Sequence, residues 1–197
     1  MVTVLGAGSW GTALAQLVAS HGHPVRLWGR NAGLVARMRE TGTNLAFHEG
    51  IPLHPGISVT ADLRGALDGS QVWINATPSY AARAIYPELA SADTKRAYLV
   101  STAKGIERES TLTLSQIAGE YFPQAFVRDR FSVLSGPSFA FDVIRGIPTA
   151  VTLACADTGA SKSLAGYFHS KAFHVYFTTD VLGVEIAGGL KNVIAIA

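Results

Sequence analysis

Residues 4–15 read VLGAGSWGTALA and place Gly6, Gly8 and Gly11 at the G-x-G-x-x-G spacing. Residues 1–5, up to the first of these glycines, are apolar and rich in Val, which is typical of a buried parallel strand. We expect Gly6 to permit a tight turn, Gly8 to let a diphosphate approach the backbone, and Gly11 to let the next helix pack closely on the strand.

The segment after the first two glycines, residues 10–19, has the pattern of a helix. Its N-terminus would present free N–H groups to an anion. An ordinary glycine turn between strand and helix is the alternative interpretation. The motif follows a strand and opens a helix, which is the context that dinucleotide binding requires, so the sequence favours a nucleotide site.

The composition is that of a globular protein with a substantial core, since 48% of the 197 residues are hydrophobic and 15% are charged. This length suits one domain, or one domain plus part of another. A net charge of +2 gives no argument for nucleic-acid binding. No apolar stretch reaches the roughly 18 to 20 residues that span a bilayer, and we expect neither a transmembrane segment nor a signal peptide.

Cysteine and histidine usage points to no redox or metal site. The single cysteine, Cys155, rules out an internal disulfide and is typical of a reducing compartment, so we expect a cytoplasmic protein. Cys155 stands in the apolar run AVTLAC and is interpreted as a small buried residue. The six histidines show no metal-ligand spacing, and no metal is predicted.

Apolar runs alternate with helical patterns along the chain, which predicts an α/β fold with a mainly parallel sheet and helices on both faces. Residues 31–42 are predicted as the helix after the second strand, and residues 44–57 as an irregular excursion from the sheet. The longer connections late in the chain allow antiparallel pairing at one edge. Beyond residues 1–5, the predicted strands are PVRLWG (24–29), QVWINAT (71–77), AYLVST (97–102), FSVLSG (131–136), TAVTLAC (149–155) and FHVYFTT (173–179).

Ligands of such sheets bind outside the carboxyl ends of the strands, so the loops there are the candidate sites. Small, polar or basic residues follow several strands, at 29–31, 76–79, 101–105 and 135–140. The second strand ends in Gly29-Arg30, with no acid to bind ribose hydroxyls. An arginine there can form a bidentate pair with a 2′-phosphate, which favours NADP over NAD. A solvated surface arginine is the alternative interpretation.

Five stretches, in order and spacing, resemble the NAD(P)-dependent glycerol-3-phosphate dehydrogenases over the whole chain: GAGSWGTALA, ATPS, STAKGIE, LSGPSFA and GGLKNVIAIA. The resemblance implies a Rossmann-like, doubly wound dinucleotide-binding domain, which we assign to residues 1–180. Residues 181–197 would be the truncated start of a C-terminal helical substrate domain. The implied reaction is reversible hydride transfer between NAD(P)H and dihydroxyacetone phosphate, giving sn-glycerol 3-phosphate for glycerophospholipid synthesis.

The resemblance also implies roles for individual residues. Lys191 would transfer the proton, and two lysines near a phosphorylated substrate would lower each other's pKa. Lys104 and Lys191 as surface lysines, Trp10 as a core residue and Ser138 as a helix cap are the structural alternatives. The implied cofactor residues are Gly6, Gly8, Ser9, Trp10, Gly11, Arg30, Lys104 and Ala140, and the implied substrate residues are Lys104, Gly136, Ser138 and Lys191.

The chain ends within the apolar run VIAIA, without a helix stop signal, so we expect the N-terminal portion of a larger enzyme that is inactive alone. Another NADP-dependent reductase of the same fold, or a non-catalytic nucleotide-binding module, are the competing hypotheses. The expected partner is a phosphorylated three-carbon substrate, and a homodimer is compatible with the sequence.

Overall fold

The computed structural model describes residues 1–196, with side chains described as far as Lys191. Eight strands of this part form one sheet in the order β3-β2-β1-β4-β5-β6-β7-β8. The strands are β1 (Val2–Leu5), β2 (Val25–Trp28), β3 (Ile57–Thr60), β4 (Val72–Asn75), β5 (Tyr98–Ser101), β6 (Phe131–Ser135), β7 (Thr149–Cys155) and β8 (Phe173–Thr178).

Helices cover both faces of this sheet, with one further helix after the last strand. A short 3-10 turn, Ser79–Ala81, precedes the fourth helix. The helices are α1 (Ser9–Ser20), α2 (Ala32–Thr41), α3 (Leu63–Leu67), α4 (Ala82–Ala90), α5 (Leu114–Tyr121), α6 (Gln124–Arg130), α7 (Ala140–Ile144), α8 (Thr158–Ala165) and α9 (Val181–Ile196).

The strand pairing is parallel from β3 through β6 and reverses once. β6 pairs with β7 antiparallel, and β7 pairs with β8 parallel. The order of the first six strands is that of a doubly wound dinucleotide-binding sheet. The predicted fold class is therefore confirmed, including the antiparallel pairing among the last strands.

One strand and several element ends differ from the sequence prediction. β3 was not predicted, and the irregular excursion ends at Gly56, because Ile57 already pairs with Val25 of β2. The helix predicted over 31–42 spans Ala32–Thr41. It begins where the Asn31 side chain accepts a hydrogen bond from the Leu34 N–H, and it ends at a glycine with φ of +65°.

Two apolar layers lie on opposite sides of the sheet. Along β1, Val2 and Val4 pack with α1, α2, α7 and α8, whereas Leu5 packs with the layer under α3 to α6. All four residues of β1 are buried, as expected for a strand covered on both faces. Cys155 is buried at the end of β7, which confirms its interpretation as a core residue, and burial raises the pKa of its thiol.

Helix α9 packs against the end of the sheet at β6 and β7. A Cβ on Gly188 would stand only 2.7 Å from the Ser135 Oγ, and one on Gly189 would stand 3.6 Å from the Gly105 Cα. The close approach to Ser135 therefore depends on the missing side chain of Gly188, whereas a Cβ on Gly189 would make an ordinary van der Waals contact. No helix within residues 1–196 is long and apolar enough to cross a membrane.

Candidate functional site

The glycine loop after β1 has the geometry that the sequence predicts. Gly6 has a φ of +109°, and a Cβ there would lie 2.9 Å from the Ala76 carbonyl oxygen. A Cβ on Gly11 would lie 1.9 Å from the Gly6 carbonyl oxygen, so only glycine lets α1 sit this close to the strand. A Cβ on Gly8 would meet nothing within 4 Å, which leaves open space beside the backbone.

A cavity of about 470 Å³ opens beside this loop, within the size range of small-ligand sites. It lies at the carboxyl ends of β1, β2 and β4, where the fold predicts ligand binding. Exposed Arg30 contributes to its wall, as do Phe47 and Tyr80, which the sequence analysis did not single out. Among the predicted cofactor residues, the lining includes Gly6, Gly8, Ser9, Trp10 and Arg30.

The N-terminus of α1 is suited to an anion. The N-cap residue Gly8 supplies no side-chain hydrogen bond, so the N–H groups of the first turn have no acceptor within the helix. Ser9 and Trp10, which begin that turn, line the cavity. The indole Nε1 of Trp10 is buried and lacks an acceptor among the described residues. These features fit a dinucleotide diphosphate, which needs N–H donors and close backbone approach.

The irregular segment after α2 fixes the glycine loop from outside. Buried Asn44 donates from Nδ2 to the Ala7 carbonyl oxygen at 3.1 Å and to the Thr12 Oγ1 at 2.8 Å. His48, also buried, lies with Nε2 2.9 Å from the Ser9 carbonyl oxygen. His48 is one of the six histidines that show no metal-ligand spacing, and nothing in the sequence predicts its contact with Ser9.

Two lysines meet at the carboxyl end of the neighbouring strands. Lys104 lies in the loop after β5, and Lys191 lies on α9, where its Nζ donates to the Ser138 carbonyl oxygen at 3.3 Å. The same Nζ stands 4.8 Å from the centre of the Phe139 ring. Burial lowers the pKa of Lys104 to about 8, and repulsion from Lys191 adds to the effect. The predicted charge repulsion thus acts on Lys104, although burial is the larger cause.

A second cavity, of about 320 Å³, lies beside Lys191. Gly136 lines it, and a Cβ there would stand 2.8 Å from the Ala150 carbonyl oxygen, so glycine is needed for the close approach to β7. The other lining residues are Ser135, Pro137, Thr152, Val184, Ala187, Gly188 and Lys191. Since Lys191 is the cation in this lining, the cavity suits a small anionic ligand.

Ser138 does not cap the helix that follows it, contrary to the structural alternative considered from the sequence. Its N–H donates to the Gly136 carbonyl oxygen at 2.9 Å, and its Oγ lies 3.4 Å from the same oxygen. α7 starts two residues later at Ala140, after Phe139, and receives no side-chain cap. Ser138 is buried and contributes its backbone oxygen to Lys191, while Ala140 is the first residue of a helix packed along α1.

A buried polar contact between α9 and the start of α5 was also not predicted. Glu185 is buried and accepts hydrogen bonds from the Ser115 N–H at 2.8 Å and the Ser115 Oγ at 2.5 Å. Its carboxylate therefore caps the N-terminus of α5, which is a favourable place for negative charge.

Among the described side chains, no group of three His, Cys, Asp or Glu residues converges to hold a metal ion.

Residues 1–161 match the family model for the N-terminus of NAD-dependent glycerol-3-phosphate dehydrogenase. The chain is 44% identical over 196 residues to glycerol-3-phosphate dehydrogenase [NAD(P)+] of Thioalkalivibrio sulfidiphilus, and 44% identical over 196 residues to that of Geobacter metallireducens. Each alignment covers 100% of this chain and 58% of the relative.

The crystal structure of glycerol-3-phosphate dehydrogenase from Coxiella burnetii is similar as well, with a TM-score of 0.91 and 32% sequence identity. That comparison covers 99% of this chain and 58% of the other. The chain therefore spans somewhat more than half the length of the relatives it matches.

Proposed function

The chain belongs to the NAD-dependent glycerol-3-phosphate dehydrogenase family, and on that premise we propose that the complete protein interconverts dihydroxyacetone phosphate and sn-glycerol 3-phosphate with NAD(P)H. The observation that carries the proposal is the meeting of Lys104 with Lys191, which lines a small cavity at the carboxyl edge of the sheet. Cations there suit a phosphorylated ketone, whose oxygen gains negative charge during reduction. The glycerol 3-phosphate formed would feed glycerophospholipid synthesis.

NAD or NADP would be held by the glycine loop, with its diphosphate at the N-terminus of α1 beside Gly8, Ser9 and Trp10. When bound, the nicotinamide supplies or accepts the hydride. Arg30 follows β2 and lines the same cavity, and no acidic residue stands beside it in the sequence. We therefore propose that Arg30 favours NADP by pairing with the 2′-phosphate. Lys104 and Ala140 are the remaining proposed cofactor contacts.

Lys191 is the proposed proton-transfer residue. Its Nζ can supply a proton to the carbonyl oxygen in the reductive direction and remove the hydroxyl proton in the other. The backbone oxygen of Ser138 orients this ammonium, and Lys104 would hold the charged substrate. Gly136 and Ser138 would shape the floor of the substrate site, because their loop borders the second cavity.

The proposed division of the chain assigns residues 1–180 to cofactor binding and residues 181–197 to the start of a helical substrate domain. Support comes from α9, on which Leu182, Ile186 and Leu190 recur every four residues and are all exposed. Such an apolar stripe is typical of a helix that packs against further structure. We accordingly propose that residues 1–197 alone bind cofactor but turn over little substrate.

The compartment and assembly are also proposals. Buried, unpaired Cys155 supports a reducing compartment such as the cytoplasm. A homodimer can be tested by light scattering of the complete gene product at several concentrations.

Steady-state kinetics of the complete gene product test the reaction, by following NADPH oxidation with dihydroxyacetone phosphate. Lys191→Ala should lower kcat at least about 100-fold with cofactor affinity nearly unchanged. Lys104→Ala should raise KM and lower kcat together. Lys162→Ala, at an exposed lysine on α8, is the matched control and should leave both constants unchanged. Normal turnover in the Lys191→Ala protein would contradict the proton-transfer role.

A substrate panel separates this proposal from its competitors. Turnover of a 2-oxo acid in place of the phosphorylated ketone would indicate another reductase of this fold. NADPH binding without turnover of any tested ketone would indicate a nucleotide-binding module.

Cofactor preference is tested by titrating NADPH and NADH against the Arg30→Asp protein. Loss of a charge-assisted phosphate contact removes about 1.5 to 3 kcal/mol, so NADPH affinity should fall roughly 10- to 150-fold while NADH affinity changes little. Arg37→Asp, at an exposed arginine on α2, controls for the general change of charge. Equal losses for both cofactors would refute the assignment.

A further inference from the structure

The loop that carries Lys104, residues 102–113 between β5 and α5, contains no helix or strand. It brings one ammonium group next to that of Lys191, and their repulsion lowers the pKa of Lys104 in addition to the effect of burial. An irregular segment of this length must be held by side-chain contacts if it is to keep such an unfavourable pair together.

Arg83 of α4 provides the principal ionic contact to this loop. Its Nε lies 2.7 Å from Oε1 and 2.9 Å from Oε2 of Glu107, and its Nη2 donates to the same Oε2 at 2.8 Å. Its Nη1 donates at 2.5 Å to Glu120 of α5. One guanidinium thus joins α4, the loop and α5 through the fork geometry that arginine alone offers.

Glu107 is held more firmly than a surface carboxylate. Its side chain is 17% exposed, and it accepts a further hydrogen bond from the Ser110 Oγ at 2.5 Å. The Arg83 guanidinium, with help from Ser110, keeps the pKa of the Glu107 carboxyl below its usual range. The carboxylate is therefore charged and paired throughout the neutral pH range.

The backbone around Glu107 is also closed and strained. Its N–H donates to the Leu112 carbonyl oxygen at 2.9 Å, and its carbonyl oxygen accepts from the Thr111 N–H at 2.9 Å. Thr111 has a φ of +60°, a conformation that residues other than glycine seldom adopt. Strain of this kind persists only where the surroundings fix the turn, and the ion pair of Arg83 with Glu107 is such a constraint.

The end of the 3-10 turn and the first turn of α4 also face the first cavity. Ala81, Ala84 and Ile85 line that cavity, while Arg83 between them faces the loop. One turn earlier, the Ser79 Oγ lies 3.1 Å from where a Cβ on Gly105 would stand. The loop is thus held on both sides of Ile106: Gly105 lies against Ser79 of the 3-10 turn, and Glu107 pairs with Arg83 of α4.

We propose that Arg83 is a positioning residue which, through Glu107, holds the Lys104 loop so that the Lys104 ammonium stays beside Lys191. The consequence for catalysis rests on the proposed function, whereas the placement of Lys104 does not. Without the ion pair, repulsion between the two ammonium groups would drive Lys104 into solvent, since Lys191 is the charged group that acts on Lys104 among the described side chains.

Competitive acetylation of the complete gene product, read by mass spectrometry across a pH series, tests the placement without any activity measurement. The Lys104 amine should titrate near pH 8 in the unmodified protein. In the Arg83→Gln protein its pKa should rise by at least about one unit toward the ordinary lysine value of about 10.4. Arg128→Gln is the matched control, because Arg128 also forms a two-pronged pair, with adjacent Asp129, but holds no loop.

A second variant, Glu107→Gln, keeps the size of the side chain and the pair of Arg83 with Glu120. It decides the question alone if the Arg83→Gln protein does not fold. In both variants we also expect the KM for dihydroxyacetone phosphate to rise at least about tenfold, because a displaced Lys104 would no longer hold the charged substrate.

The outcomes separate the two proposals. A lower melting temperature with an unchanged Lys104 pKa and KM would mean that the ion pair only stabilises the fold, and would overturn the positioning role. An upward pKa shift in a protein that never turns over the ketone would support the positioning of Lys104 and refute the dehydrogenase proposal. Turnover in the unmodified protein, with no pKa shift in either variant, would support the dehydrogenase proposal and refute the positioning role of Arg83.

Discussion

Gly8→Ala should separate cofactor binding from folding. Gly8 has φ of −81° and ψ of −175°, which any residue adopts, and a Cβ there would meet nothing within 4 Å. The free energy of unfolding should therefore change by no more than about 0.5 kcal/mol. The added methyl group would occupy the space that the proposed diphosphate needs beside the α1 N-terminus. Losing one charge-assisted hydrogen bond removes about 1.5 to 3 kcal/mol, so cofactor affinity should fall roughly 10- to 150-fold.

Gly11→Ala should have the opposite profile, with a large loss of stability. Its Cβ would stand 1.9 Å from the Gly6 carbonyl oxygen and 3.2 Å from the Ala76 Cβ. The first of these contacts is with backbone, so α1 would have to move about 1 Å away from β1 and disturb the packing beneath it. Overpacking of this kind usually destabilises by about 1 to 3 kcal/mol, and the closeness to backbone puts Gly11→Ala at the upper end.

Urea unfolding and fluorescence titration with NADPH measure the two effects in the complete gene product. Gly119→Ala is the matched control, because Gly119 is exposed on α5 with open space around it, and the variant should gain up to about 1 kcal/mol from better helix propensity. Wild-type affinity in the Gly8→Ala protein would refute the placement of the diphosphate. Loss of folding in the same protein would refute the claim that open space surrounds Gly8.

Three other substitutions test contacts around the two cavities. Lys104→Gln should raise stability at pH 7, because the half-buried ammonium opposes folding. The gain should shrink as pH rises from about 8, where Lys104 loses its proton in the folded state, to about 10.4, where the unfolded chain does. Asn44→Ala should lower the free energy of unfolding in urea by about 1 to 3 kcal/mol, since it leaves the Ala7 carbonyl oxygen without its buried donor. Glu185→Ala should lower the melting temperature through the loss of about 0.5 to 2 kcal/mol of capping at Ser115, with cofactor affinity unchanged.

The features that sequence predicts well are those set by local sterics. Gly6 needs a positive φ, and Gly11 has no room for a Cβ, because the connection from strand to helix turns tightly there. The continuous apolar runs of the central strands also give an unambiguous signal, because both faces of those strands are covered. The likeness of several loop motifs to one family added the residue roles, which stay predictions until measured.

The missed strand had no comparable signal. Residues 57–60 read ISVT, and only Val59 of the four is buried. β3 forms one edge of the sheet and pairs with β2 alone, and its side chains other than Val59 are at least partly exposed, so it lacks the apolar run of a central strand. β3 also follows directly on the irregular segment, so no change in the sequence pattern marks where the strand begins.

Contacts between distant parts of the chain could not be predicted from the sequence either. Asn44 reaches across 37 residues to Ala7, and Arg83 reaches across 24 to Glu107. Polar residues on helix surfaces and in irregular segments are ordinarily solvated, so nothing in their spacing predicts these contacts. Both contacts support a loop that bears proposed ligand contacts, which is where long-range positioning has the largest effect on chemistry.

The position of Lys191 shows how such contacts combine on one element. On α9, Glu185 and Gly188 face the sheet domain, the first as a cap for α5 and the second in close contact with Ser135. The stripe that begins at Leu182 is exposed, and Lys191 is half-buried. The helix is therefore oriented by contacts within the described residues before anything covers the stripe. Any structure that packs on the stripe would be added to a lysine pair that is already formed. We therefore expect substrate affinity to depend on that structure more strongly than the pKa of Lys104 does.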